Sequence, residues 1–224
     1  MVFQNPIRAV VFDMDGLLLD TEVRYKDVIL AAAAERGAPL PVEVFNRMIG
    51  TPLSHSLQVL AEFYGPDYDG EALFEDATER FKVMTHGEDL LKAGVRELIA
   101  HLEEMNIPRA IATSSGHESV RRHLEPNGVL ARFDAVIARG DYEKGKPAPD
   151  PFLTAARALG VSPEHCLALE DSYNGVRAAH AAGMMTVMVP DLLAPTDEMR
   201  DLAVAIADSL HHVLDLVKAH QAGA

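Results

Sequence analysis

The chain has one cysteine, far fewer bases than acids, and no long apolar run. A single thiol, Cys166, cannot form an intrachain disulfide, and cysteine-rich zinc sites are excluded with it. Its neighbours, His165-Cys166-Leu167-Ala168-Leu169, are mostly apolar and read as a small buried hydrophobe in its setting. Twenty Lys and Arg stand against 34 Asp and Glu, a net charge of -14. That balance argues against non-specific binding to nucleic acid or to an anionic membrane surface. It also sets a condition, because an anionic substrate must then be attracted locally, by a metal, a lysine or a helix N-terminus. No apolar segment follows a basic N-terminal region, and no run is long enough to span a bilayer. The expectation is a soluble cytoplasmic protein, with a monomer as the default. The ten histidines offer no pair at metal-ligand spacing and read as surface or core residues.

What is present is enough for a large core: 224 residues, 48% of them hydrophobic. Arg8 to Phe12 reads as a short buried strand, bounded by Pro6 and Gly16. A helical pattern over 22–36 stops at Gly37, and helix-like pieces follow at 41–48, 53–63 and 70–84, punctuated by Pro39, Pro41, Gly50, Pro52, Gly65 and Pro66. After Gly87 the rhythm changes. Helices at 94–104, 117–125, 150–159 and 173–182 alternate with strands at 109–113, 135–137, 166–169 and 185–189, then a shorter strand near 203–206 and a last helix at 209–219. Strands alternating with helices imply a parallel sheet covered on both faces. The predicted architecture is α/β: a doubly wound core, 1–16 plus 87–224, interrupted after its first strand by a helical insertion over 17–86.

In an open parallel sheet, ligands sit beyond the C-terminal ends of the strands. The first strand delivers Asp13, with Asp15 and Gly16 in the turn after it. Two carboxylates a few Å apart are costly unless a cation lies between them or one keeps its proton. The same rim receives Thr113-Ser114-Ser115-Gly116, then Lys144-Gly145-Lys146-Pro147-Ala148-Pro149-Asp150, then Glu170-Asp171-Ser172. A hard cation such as Mg²⁺ takes oxygen ligands, which Asp13 and Asp171, helped by Glu170, can supply. Hydroxyls at a strand end before a helix N-terminus, Thr113 and Ser114 here, suit phosphate oxygens. Lys146 adds a compact positive charge. The Leu17-Leu18-Leu19 run reads as a packed hinge or flap. Alone, each segment has an ordinary structural reading; in this order and all at strand ends, they point to phosphoryl transfer.

At this point the chain resembles the haloacid dehalogenase-like superfamily of phosphotransferases. Phe12-Asp13-Met14-Asp15-Gly16-Leu17-Leu18-Leu19-Asp20-Thr21-Glu22 is similar to its first motif. Thr113 matches the second, Lys146-Pro147-Ala148-Pro149-Asp150 the third, and Leu169-Glu170-Asp171-Ser172 with Gly175 the fourth. The insertion resembles the helical cap of the subgroup holding β-phosphoglucomutase and small sugar-phosphate phosphatases. The resemblance implies a Rossmann-like core and a Mg²⁺-dependent phosphatase acting on a small phosphate ester. Asp13 would be the nucleophile forming an aspartyl-phosphate, and Asp15 the general acid and base. Mg²⁺ would be held by Asp13, the Asp15 main-chain carbonyl and Asp171, with Glu170 direct or through water. Thr113, the Ser114 backbone and Lys146, with Gly16 beside them, would hold the phosphoryl group, and the cap would close and read the leaving group. Dehalogenase and phosphonatase relatives lack the carboxylate at the place of Asp15, so its presence favours phosphate esters. Mutases of the subgroup carry a histidine and an arginine where an ungapped reading places Tyr25 and Leu53. Those departures count against the alternative of a hexose-phosphate mutase; a non-catalytic binding protein is the remaining rival. Arg24, Arg47 and Lys82 are candidates for facing a sugar or a second phosphate, although solvated helix charge is the simpler reading.

Overall fold

The computed structural model describes residues 2–51 and 53–223; Met1, Pro52 (read above as a helix punctuator) and Ala224 lie outside the described residues. Two compact units emerge, one running up to Asp20 and resuming at Asp89, the other spanning Thr21–Glu88.

The first unit is a six-stranded α/β sheet of Rossmann-like type. Its strands are β1 (Ala9–Phe12), β2 (Arg109–Ala112), β3 (Ala135–Ile137), β4 (Cys166–Glu170), β5 (Met185–Met188) and β6 (Ala205–Ile206). Their order is β3-β2-β1-β4-β5-β6, every pair parallel, with Phe12 level with both Ile111 and Leu169. β1 is central and buried on both faces, so it is a continuous apolar run. The two faces differ in size. Val10 and Phe12 point into a bulky cluster with Ile111, Leu167 and Leu169. Ala9 and Val11 point the other way, into a layer dominated by Ala110, Ala112, Cys166 and Ala168. Small side chains there let the alanine-bearing sides of two helices approach the sheet, through Ala155, Ala156, Ala178 and Ala179. The bulky face is covered by Leu98, Ile99 and Leu102 and by Val213, Leu214 and Val217.

Leu17, Leu18 and Leu19 belong to the bulky cluster and are fully buried. Just beyond them the two chain crossings of this unit are stitched together: Asp20 N donates to Leu90 O (2.8 Å), Lys92 N donates to Leu18 O (2.9 Å), and Leu19 bridges Leu91 antiparallel.

The helical unit contains α1 (Thr21–Glu35), α2 (Val42–Asn46), α3 (Leu53–Tyr64) and α4 (Gly70–Met84). Ile29, Ala32 and Ala33 of α1 and Leu73 and Ala77 of α4 are buried at 3.6-residue spacing, and the two helices pack on one another. Asp69 caps α4 by accepting from Ala72 N at 2.9 Å.

The remaining helices of the α/β unit are α5 (Val95–Glu104), α6 (His117–Leu124), α7 (Asp150–Leu159), α8 (Tyr173–Ala181), α9 (Asp197–Leu202) and α10 (Leu210–Ala222). Helix α9 is absent from the sequence reading. It is six residues long, too short for a periodic signal, and is held by Thr196, whose side chain accepts from Met199 N. No described helix is long and apolar enough to cross a membrane.

Candidate active site

Parallel register brings the site together. Asp13 N donates to Leu169 O (3.0 Å), so Asp13 continues the β1–β4 ladder by one residue and sits beside Glu170, the last residue of β4. On the other side Thr113 N donates to Ile137 O (3.0 Å), placing Thr113 just past β2. The chain then turns at Gly16, whose φ of +86° strains any side-chain-bearing residue. Gly16 N donates to Leu19 O (2.9 Å), and its carbonyl accepts from Lys92 Nζ (2.6 Å). Both its backbone groups are thus engaged within the fold, and its evident contribution is to the turn that carries Asp15.

Lys146, on the loop between β3 and α7, is bonded to Asp13 Oδ1 and lies 2.5 Å from Glu170 Oε1. All three side chains are almost wholly shielded from solvent. Lys146 Nζ also lies 5.1 Å from the centroid of the Phe152 ring. Glu170 Oε2 accepts from Asp171 N (3.0 Å), Ser172 N (3.1 Å) and Ser172 Oγ (3.0 Å). Ser172 in turn caps α8 by accepting from Gly175 N at 3.1 Å. A side chain at 175 would occupy the place of that carboxylate: a Cβ built there falls 1.8 Å from Glu170 Cδ. Gly175 is therefore the cradle for Glu170.

Oxygens of Asp13, Glu170 and Asp171, all buried, lie within 4.8 Å of one another. Burial pushes the Asp13 carboxyl well up; Lys146 pulls against that rise, and Glu170 and Asp15 add to it. Burial also works against the Lys146 charge, yet Asp13 and Glu170 outweigh it and hold its pKa above the usual lysine range. One cause underlies both directions. A single ammonium does not balance this many carboxylates in a low-dielectric pocket, so the donor set favours a further cation. All-oxygen, carboxylate-rich coordination suits a hard divalent ion.

The hydroxyl side of the site is more connected than sequence reasoning anticipates. Ser115 Oγ donates to Asp15 Oδ2 at 2.7 Å, and Thr113 Oγ reaches the same oxygen at 3.5 Å. Thr113 Oγ also accepts from Ser115 N (2.9 Å). Ser114, between them, is exposed at the rim. Tyr142 OH donates to Thr113 O (3.0 Å), and burial pushes its phenol up. Ser115 was visible only as part of a hydroxyl-rich run, and nothing in the sequence marked Tyr142 or Lys92.

In the helical unit the three cations singled out from sequence are paired: Arg24 with Glu88, Arg47 with Glu62 (2.6 Å) and Lys82 with Glu79 (2.5 Å). Tyr25 and Leu53 help to line a cavity of about 640 Å³ within this unit, with Phe74 and Thr78.

Comparison with known proteins places the chain in a family. A family model described as haloacid dehalogenase-like hydrolase matches residues 7–183. The phosphorylated carbohydrates phosphatase of Thermotoga maritima is 32% identical over 186 residues, covering 80% of this chain and 82% of that protein. The fructose-1-phosphate phosphatase YqaB of Escherichia coli is 32% identical over 183 residues, covering 81% of this chain and 95% of that protein. The solved structure of CbbY from Rhodobacter sphaeroides in complex with xylulose-(1,5)-bisphosphate is 27% identical, with a TM-score of 0.74, covering 91% of this chain and 95% of that one. With the family match spanning most of the chain, and these relatives covered over most of their own length, the chain belongs to the haloacid dehalogenase-like hydrolases.

Proposed function

We propose that this protein is a divalent-cation-dependent phosphatase of small phosphate esters, sugar phosphates foremost, working through an aspartyl-phosphate. The observation that carries the reading is the buried group of Asp13, Glu170, Asp171 and Lys146 at the strand ends, with Asp15 two residues beyond the nucleophile. Relatives named as phosphatases of phosphorylated carbohydrates and of fructose 1-phosphate support the substrate class.

Asp13 is the nucleophile: its carboxylate oxygen bonds to phosphorus as the bond from phosphorus to the leaving oxygen breaks. Asp15 gives its proton to that leaving oxygen, then takes one from the water that attacks phosphorus and frees Asp13. Thr113 and Ser114 seat the phosphoryl oxygens, and Lys146 holds Asp13 in place while offsetting negative charge. Asp13, Asp171, Glu170 and the Asp15 main-chain carbonyl are the groups that would hold Mg²⁺, which when bound supplies positive charge against the phosphoryl oxygens.

The hexose-phosphate mutase alternative is not favoured, since the Thermotoga maritima and Escherichia coli relatives above are named phosphatases and an ungapped reading puts Tyr25 and Leu53 at the two cap positions. The test is free-phosphate release from a panel of phosphorylated metabolites with Mg²⁺ and with chelator. Release that depends on the cation and disappears in Asp13→Asn, with the fold intact, is expected. Hexose-phosphate interconversion without net release would overturn the proposal.

A further inference from the structure

The acid/base carboxylate has to alternate between two protonation states without changing place. What holds it matters as much as what it is. In this chain Asp15 Oδ2 is held by hydroxyls: Ser115 Oγ at 2.7 Å and, at the limit of hydrogen bonding, Thr113 Oγ at 3.5 Å. The two hydroxyls are not equivalent. Thr113 Oγ is tied to its own loop, accepting from Ser115 N at 2.9 Å, and its single proton is the one available to a phosphoryl oxygen. Once Thr113 turns that proton to the phosphoryl group, the Ser115 hydroxyl still donates to Asp15.

We propose that Ser115 is a positioning residue of the acid/base step, helping through its 2.7 Å bond to hold the Asp15 carboxyl in one rotamer through both half-reactions. A hydroxyl suits this because it donates to the ionised carboxylate and accepts from the protonated acid. An arginine or lysine in the same place would favour only the ionised form and impede the uptake of a proton that the base step requires. Backbone bonds fix Ser115 itself. Its N–H is spent on Thr113 Oγ, and its carbonyl accepts from Arg139 N at 2.9 Å. Removing the Oγ therefore leaves the loop tied and takes from Asp15 the 2.7 Å hydroxyl bond.

The inference rests on the acid/base reading of Asp15, and the experiment separates the two. Steady-state kcat and KM are measured for p-nitrophenyl phosphate, whose leaving group needs no proton, and for an alkyl phosphate that turns over, in wild type, Ser115→Ala, Ser115→Thr and Asp15→Asn. Ser115→Ala is expected to lose about 10- to 100-fold in kcat on the alkyl ester and less than about threefold on p-nitrophenyl phosphate. Its KM should change little, and Ser115→Thr, which keeps the hydroxyl, should recover most of the loss. Equal losses on the two esters, a loss confined to KM, or a threonine variant as poor as alanine would overturn the positioning role. If Asp15→Asn itself shows no preference between leaving groups, the acid/base reading falls first. If Asp15→Asn shows it and Ser115→Ala does not, only the present inference falls.

Discussion

Gly175 is the position at which one added carbon should do the most damage. A Cβ there would lie 1.8 Å from both Cδ and Oε1 of Glu170, and 2.1 Å from Oε2. No rotation of a fully buried side chain relieves a clash with all three atoms at once, so the carboxylate must leave its seat. Leaving breaks the three bonds from Asp171 N, Ser172 N and Ser172 Oγ and the ion pair to Lys146. Hydrogen bonds to a charged group contribute about 1.5–3 kcal/mol each, and breaking a buried pair costs about 3–5 kcal/mol. These terms overlap, since the displaced carboxylate finds other partners. The expected loss for Gly175→Ala is therefore about 3–5 kcal/mol rather than their sum. For a protein of this size that corresponds to a fall in Tm of roughly 6–20 °C. Scanning calorimetry reads it directly, with turnover measured alongside. Gly145→Ala is the control, because a Cβ at 145 meets nothing nearer than Tyr142 Cε2 at 3.8 Å, and it should change stability by less than about 0.5 kcal/mol. A Gly175→Ala protein within about 1 kcal/mol of wild type and still active would refute the cradle.

Other consequences follow from the same structure. Adding Mg²⁺ should raise Tm, by about 2.7 kcal/mol of stabilisation at a hundredfold excess over Kd, and Asp171→Asn should abolish most of the shift; an equal shift in the variant would place the cation elsewhere. His220 is buried against Phe3 with both ring nitrogens lacking a partner among the described residues, so His220→Leu should stabilise by about 1–2 kcal/mol in urea unfolding, and a destabilised variant would mean the ring is satisfied in solution. Burial pushes the Cys166 thiol up to about 11, so it should resist thiol reagents at pH 8 until the protein unfolds. Because the folded thiol ionises later than the unfolded one, its contribution to stability is complete below about pH 9 and is lost as pH rises towards 11; Cys166→Ala should flatten that alkaline decline, and an unchanged slope would contradict it.

Much of the site was legible because parallel sheets place chemistry at strand ends. The ends of β1, β2 and β4 could be read from apolar runs stopping at Asp13, Thr113 and Glu170. What escaped was set by tertiary packing. The Leu17–Leu19 triplet reads as a packed hinge or flap in sequence; that it packs is borne out, but that its partners are the core of the α/β unit is set by the tertiary fold. Ser115 looks like one more helix-proximal serine until the loop folds it over Asp15. Gly175 fits the fourth motif, but its reason, a carboxylate where a methyl would be, is visible only in three dimensions. The partners of Arg24, Arg47 and Lys82 were not readable either: two are 15 or more residues away, at Glu88 and Glu62, and Glu79 is one of several acids near Lys82.

The central claim is that Asp13 becomes covalently phosphorylated. The direct measurement is rapid acid quench during turnover of a phosphomonoester with Mg²⁺, followed by peptide mapping of the phosphorylated residue. A hydroxylamine-sensitive phosphoryl group on Asp13, building up and decaying at rates compatible with turnover and enriched in a variant slowed at the second step, is the predicted result. Full turnover with no phosphoryl group on Asp13, or with one on another residue, would contradict it.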